Sequence, residues 1–350
     1  MQQLTVALIL LALASGVSAG LGCNHNNCQA CTADPLCGWN GSACKSRILG
    51  GCRGDGGLIN GLLLCNPYQC STAPPVYNEN FAKQLWQLQG AGKVATSDPG
   101  FAGCVNAADP SAKFIARINV TCGVPLPIDR CVTDLYVLPG SKTIAAISLG
   151  SEGTSQLVQV LGALTLSFLD LQTGAVIYWQ TAFNSLWNGG LQSNLTALLQ
   201  NSTYADYTFV SSGHSLGGAV SLLITKAVAD KGWRGPDAIQ TITFGQPRLG
   251  SVALQNSIYQ KAPHHFRLKN ARDAISSLPF QAAWIEHSKF PVYYPIGMNS
   301  TGLAAKIICQ TNEDPACTTL FQVSDLGLNY HNTYFNIDNI ETWHNTNCAY

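Results

Sequence analysis

The stretch Val210 to Leu223, VSSGHSLGGAVSLL, constrains the fold more than any other part of the chain. A short apolar run from Tyr207 to Ser211 reads as a strand, and a helical pattern follows to about Lys231. Between them Gly213, Ser215 and Gly217 stand at the spacing G-x-S-x-G. A strand that turns directly into a helix leaves no room for side chains two residues either side of the turn, and glycines there relieve the crowding. The turn lifts Ser215 to the carboxyl edge of a sheet, at a helix N-terminus whose free N–H groups favour negative charge. The Leu216 N–H is then a candidate oxyanion donor. No Gly-Lys-Ser/Thr follows, which argues against a phosphate loop.

A serine hydroxyl is a poor nucleophile until an imidazole takes its proton and a carboxylate orients that imidazole. After such an elbow the partners follow in the order Asp or Glu, then His. Asp230 and Asp237 lie at a helix end and in a loop before the next strand. Asp273 is better placed, in the loop NARDAISSLP just after the apolar strand near His265 to Leu268. Of the histidines beyond it, His331 in NYHNTYFNID begins a segment past the last predicted strand and fits best. His287 in WIEHSKF and His344 near the end are the alternatives. His214, beside the serine, points away from its chemistry in this kind of turn and reads as structural.

The surrounding pattern alternates. Phe81 to Ala91 reads as a helix, Thr143 to Leu149 as a buried strand, and Ser155 to Asp170 as helical. Leu191, Leu195, Leu198 and Leu199 share a helical face, Ile239 to Phe244 is a strand, and a further helix precedes the strand near His265. Strands alternating with helices predict an α/β fold with a mostly parallel central sheet covered on both faces.

Nineteen basic residues balance nineteen acidic ones among 350, so no global field favours nucleic acid. The start MQQLTVALILLALASGVSAG carries an apolar run shorter than a membrane span, with Val17 and Ala19 placed for signal-peptidase cleavage; it lacks the usual basic residues. Residues 1–19 therefore read as a secretory signal, leaving no transmembrane segment in the mature chain and an extracellular location. Secretion accounts for fourteen cysteines, an even number consistent with disulfides. Sequons stand at Asn40, Asn119, Asn194, Asn201 and Asn299.

Eight cysteines fall between Cys23 and Cys70, where no periodic apolar pattern exists. Residues 20–72 read as a disulfide-stapled cysteine-rich module, since so short a segment cannot bury enough core by itself. Zinc is the competing reading of Cys28 and Cys31, but no second pair at finger-like spacing follows. Residues 73–80 form a Pro-containing linker, and 81–350 the main domain. CQACTADPLCGW resembles the small cysteine-rich modules of the plexin, semaphorin and integrin type, with Asn40 where a cysteine would stand. A plain stapled appendage is the alternative.

Together GHSLGGA, TFGQPRLG, NARDAISSLP and HNTYF resemble the class 3 lipases, a family of α/β-hydrolases. YWQTAFNSLWNGGL, CQTNEDPAC and INVTCGVPLPIDRCVTDLYV resemble its secreted, nematode-type members. The resemblance, from about Asn80 to Tyr350, implies an α/β-hydrolase fold and a serine esterase or lipase acting on triacylglycerol-type esters at a lipid–water interface. It implies Ser215 as nucleophile, Asp273 as orienting acid and His331 as general base, with an acyl-enzyme intermediate and no metal or organic cofactor. It also implies the disulfides Cys122–Cys131 across a short hairpin, Cys309–Cys317, and Cys104–Cys348.

One turn departs from the family. Members carry Phe-Arg-Gly-Thr or Phe-Arg-Gly-Ser after the strand, the last residue giving the second oxyanion donor; this chain reads Ser151-Glu152-Gly153-Thr154. Thr154 keeps the donor, and Glu152 is expected to face solvent. The apolar segment after it, with Leu157, Val158, Leu161, Leu164 and Leu166, is either a lid or a buried helix. The departure keeps open a catalytically weak lipid-binding or interaction protein, and within the enzymes a phospholipase A1.

Overall fold

The computed structural model describes residues 76–122, 129–151, 169–279, 285–298, 306–309, 311–314, 316–317, 329–337 and 348, and the backbone of four short strands before them. These four are β1 (Cys37–Trp39), β2 (Cys44–Ser46), β3 (Gly56–Ile59) and β4 (Leu62–Cys65), paired β1 with β2 and β3 with β4, both antiparallel. They belong to a compact unit, Met1–Pro74, distinct from a second unit, Pro75–Tyr350. Residues 1–19, expected to be a secretory signal, and the side chains behind the cysteine-module resemblance lie outside the described residues.

In the second unit, helix α1 (Glu79–Gly92) opens on an Asn78 cap, whose side chain accepts the Phe81 N–H. The helix thus starts two residues before Phe81. Tyr77 already lies in the core against Phe266, so 77–80 belong to the folded unit and not to a linker. Helix α2 (Phe101–Ala108) follows, then the antiparallel strands β5 (Lys113–Cys122) and β6 (Asp129–Leu138), and β7 (Thr143–Ser148). Helices α3 (Ile177–Leu186) and α4 (Gln192–Leu199) are joined by a π turn. The order continues with β8 (Thr208–His214), α5 (Leu216–Asp230), β9 (Ile239–Phe244), β10 (Gly250–Ser251), α6 (Val252–Lys261) and β11 (His264–Asn270). Strands β12 (Ile285–Glu286), β13 (Pro291–Tyr294) and β14 (Ile307–Ile308) and the short helix α7 (Asn329–Asn332) complete the described elements.

Eight strands form one sheet in the order β14-β13-β11-β9-β8-β7-β6-β5. β7, β8, β9, β11 and β13 are parallel; β5 and β6 add an antiparallel edge, and β14 closes the other. Alternation along β7 explains why it reads as one apolar run: Ile144 and Ala146 enter a core under α3 to α6, Ala145 and Ile147 one under α1 and α2. Both faces are covered, as the strand–helix alternation requires. Leu191, Leu195, Leu198 and Leu199 are all buried.

Three disulfides join described residues: Cys122–Cys131 across the ends of β5 and β6, Cys309–Cys317, and Cys104–Cys348. The last closes 244 residues, a loop whose closure stabilises by about 5–6 kcal/mol in the chain-entropy model. Asn119 is exposed on edge strand β5 and Asn201 on a loop, whereas the Asn194 amide donates to the Gly190 carbonyl within a helical turn. Asn40 and Asn299 lie outside the described residues.

Candidate active site

All the parallel strands point their carboxyl ends to one edge, and the sequence-predicted residues gather there. Strand β8 runs to His214, and α5 begins at Leu216, so the whole turn is the single residue Ser215. Its backbone sits at φ 54° and ψ −124°, which for a side-chain-bearing residue costs roughly 1–3 kcal/mol. The Ser215 N–H donates to the Phe244 carbonyl at 2.9 Å, tying the strained turn to β9.

The flanking glycines are required by backbone, not by flexibility. A Cβ on Gly213 would lie 2.1 Å from the Gly217 carbonyl oxygen, and one on Gly217 2.2 Å from that of Ser148. Any side chain at either position would force β8, α5 and the end of β7 apart. The Gly218 N–H donates to the Ser215 carbonyl at 3.0 Å, while the N–H groups of Leu216 and Gly217 have no preceding helical carbonyl to serve them.

Asp273 follows β11 in the turn after Asn270, and the loop is held by its own hydrogen bonds: Ser276 donates its N–H to Oδ1 and its hydroxyl to the Asp273 carbonyl. His331 sits on α7, with Nδ1 at 3.0 and 3.1 Å from the two Asp273 carboxylate oxygens. Burial opposes the Asp273 charge, but the His331 imidazole and its hydrogen bond, with Lys269 behind, hold the carboxyl below its ordinary value. Asp273 is therefore ionised, and a carboxylate can only accept, so the His331 proton is on Nδ1 and Nε2 carries the lone pair. Nε2 is buried with no hydrogen-bond partner among the described residues. Ser215, Asp273 and His331 are each at most 3% exposed.

Gly245 makes this pair possible. At φ 56°, its missing Cβ would lie 2.7 Å from His331 Nδ1 and 2.8 Å from Asp273 Oδ2. The sequence reading passed over it, although TFGQPRLG places it directly after a strand. Gly150 has no role in the sequence reading, and Ser151 stands there only as the start of the departing turn; a Cβ on Gly150 would lie 3.4 Å from the Ser215 Cβ, so β7 delivers Gly150 against Ser215. Ser151 follows Gly150, and the Ser151 Oγ is buried without a partner among the described residues. Thr154, Glu152, the segment from Leu157 to Leu166 and His344 lie outside the described residues.

The remaining candidates are occupied elsewhere. Asp230 pairs with Lys226 and Lys261 on the surface, and Asp237 is exposed beside His264. Burial, with Arg267, Arg248 and Lys269 close by, pushes the His287 imidazole well below its ordinary pKa, which unsuits it as a base. His214 is buried against Trp86 and His331. No group of metal-ligating side chains occurs among the described residues, and no described helix is long and apolar enough to cross a membrane.

Residues 147–283 match the model of the family Lipase (class 3). Lipase ZK262.3 of Caenorhabditis elegans is 25% identical over 209 residues, 58% of this chain and 56% of that protein. The secreted mono- and diacylglycerol lipase 3 of Gibberella zeae is 25% identical over 185 residues, 46% of this chain and 57% of that one. The chain thus spans little more than half the length of these curated relatives. The Yarrowia lipolytica LIP2 lipase superposes with a TM-score of 0.61 at 17% identity, over 77% of this chain and 98% of that one, which shows the common fold. The eight-stranded sheet with its serine turn is an α/β-hydrolase fold, and over residues 147–283 the chain is similar to the class 3 lipases.

Proposed function

We propose that the protein is a secreted serine hydrolase of lipid carboxylic esters, of the triacylglycerol type. The observation that carries this reading is the alignment of parts at one sheet edge. A serine is held in strained backbone at a helix N-terminus, beside a His331–Asp273 pair whose Nε2 has no partner among the described residues. In the proposed cycle His331 Nε2 takes the Ser215 proton as Oγ attacks the ester carbonyl, and Asp273 steadies the imidazolium. His331 then protonates the leaving alcohol, and water, activated by the same nitrogen, releases the acid from the acyl-enzyme.

The Leu216 N–H supplies one oxyanion donor. The family resemblance gives the second to Thr154; the strand-end position of Ser151 and its unpartnered Oγ support Ser151 in that role. Secretion is supported by the N-terminal segment, by the disulfides, and by the secreted Gibberella relative. In a secreted chain, glycans fit Asn119 and Asn201, whose side chains are exposed, better than Asn194.

Initial hydrolysis rates on a short soluble ester and an emulsified long-chain triacylglycerol test the reading. Wild-type protein should turn over both, and Ser215→Ala neither. A wild-type protein inert on every ester would favour the non-catalytic lipid-binding alternative.

A further inference from the structure

His214 has no step in that cycle, yet it adjoins both Ser215 and His331. It is the residue immediately before Ser215, and its ring lies 4.5 Å, centroid to centroid, from that of His331. Its Nε2 is 2.9 Å from the His331 backbone carbonyl. A carbonyl only accepts, so Nε2 donates and carries the proton. On the opposite side of the ring Nδ1 faces Gly150, where a Cβ would intrude to 2.8 Å. Trp86 closes the remaining side, edge-on at 5.3 Å and 84°. The imidazole is therefore fixed in one tautomer and one orientation, between the strand end at Gly150 and the backbone that carries His331. Burial, and then the positive charge that His331 acquires, keep it neutral.

We infer that His214 is a positioning residue: its Nε2–H bolts the His331 backbone to the nucleophile elbow. The inference rests on the Ser215–Asp273–His331 reading. The elbow and α7 are 117 residues apart in sequence. Asp273 fixes the tilt of the His331 ring, and the Asn270 amide holds the chain two residues on at the Thr333 carbonyl, but neither restrains a shift of the His331 carbonyl relative to the elbow. The His214 bond restrains that shift from the nucleophile's own neighbour, so that Ser215 and His331 move as one body. Neutrality is part of the role, because a second imidazolium 4.5 Å away would oppose the charge that His331 gains during attack.

Two variants separate this role from plain packing. His214→Gln keeps an amide N–H within reach of the His331 carbonyl, whereas His214→Phe keeps the ring and removes the donor. For His214→Phe we expect kcat and the rate of Ser215 labelling by a fluorophosphonate to fall together by about tenfold to a hundredfold, with KM nearly unchanged. His214→Gln should recover both to within about threefold, the margin left by one net hydrogen bond. Equal labelling rates for His214→Phe and wild type would overturn the inference, as would two variants impaired equally. Should the Phe variant fail to fold, 15N NMR of the wild-type ring decides: Nε2 must be protonated and Nδ1 bare across the active pH range, and the reverse tautomer refutes the bolt. A wild-type protein that does not label refutes the triad reading, and this role with it. Normal wild-type labelling with an unaffected Phe variant refutes the bolt alone.

Discussion

Asp273 receives the His331 Nδ1 proton between both its carboxylate oxygens, at 3.0 and 3.1 Å, in a site from which solvent is nearly absent. The pair fixes which imidazole nitrogen is free to act. Asp273→Asn keeps the size of the side chain but offers an amide, which favours the wrong tautomer. Steady-state kinetics should show kcat lower by about 10³–10⁴-fold with the near-UV circular dichroism unchanged.

Gly245 separates activity from folding. Gly245→Ala places a methyl 2.7 Å from His331 Nδ1 and asks a side-chain-bearing residue to hold φ 56°. The nearest atoms belong to side chains, so the imidazole can swing away. Activity should drop by about a hundredfold, the scale of a 1 Å misplacement, while the protein still folds. Gly213→Ala meets backbone at 2.1 Å instead and should not yield soluble protein. Expression and thermal melts of the two variants check the contrast.

The turn after β7 poses a choice between two residues, Ser151 and Thr154, each offering a backbone N–H helped by a hydroxyl. If Ser151 supplies the second oxyanion donor through its unpartnered Oγ, Ser151→Ala should lower kcat by about 10²-fold or more, and Thr154→Ala should leave it nearly unchanged. The opposite ranking in kcat would return the role to Thr154.

The sequence showed the catalytic edge better than its surroundings. GHSLGG was legible because its spacing answers a local steric demand, and the strands Ile239 to Phe244 and Thr143 to Ser148 because every residue but Gln240 is buried. β5 and β6 escaped, apart from a short hairpin expected at Cys122 and Cys131. β5 is an edge strand whose exposed and half-buried residues follow no clean alternation, and a register shift near Phe114 breaks its period. β13 and β14 have four and two residues, too few for a period. Gly245, Gly150 and the His214 bond depend on contacts between β9, β7 and α7, segments far apart in sequence, and no local pattern encodes them. His214 was legible as structural, but not what it holds.

The buried charge behind the site gives stability a pH dependence. Burial, with Glu313 adding to it, pushes the Glu286 carboxyl from an ordinary 4.5 up to about 7. Between those values the folded protein binds a proton that the unfolded chain does not, so stability from this group is full below 4.5 and declines as pH rises to about 7. The decline is on the order of 3 kcal/mol at about 1.4 kcal/mol per unit. Glu286→Gln should flatten the denaturant-midpoint profile across this window; a variant profile parallel to wild type would refute the assignment.

The central claim is that Ser215 is a nucleophile, and covalent capture tests it most directly. The protein is incubated with a fluorophosphonate, digested, and mapped by mass spectrometry. The account predicts one adduct, on Ser215 in the peptide containing VSSGHSLGG, absent from Ser215→Ala and formed far more slowly in Asp273→Asn. An intact wild-type protein that stays unmodified, or an adduct on another residue with Ser215 untouched, would contradict it.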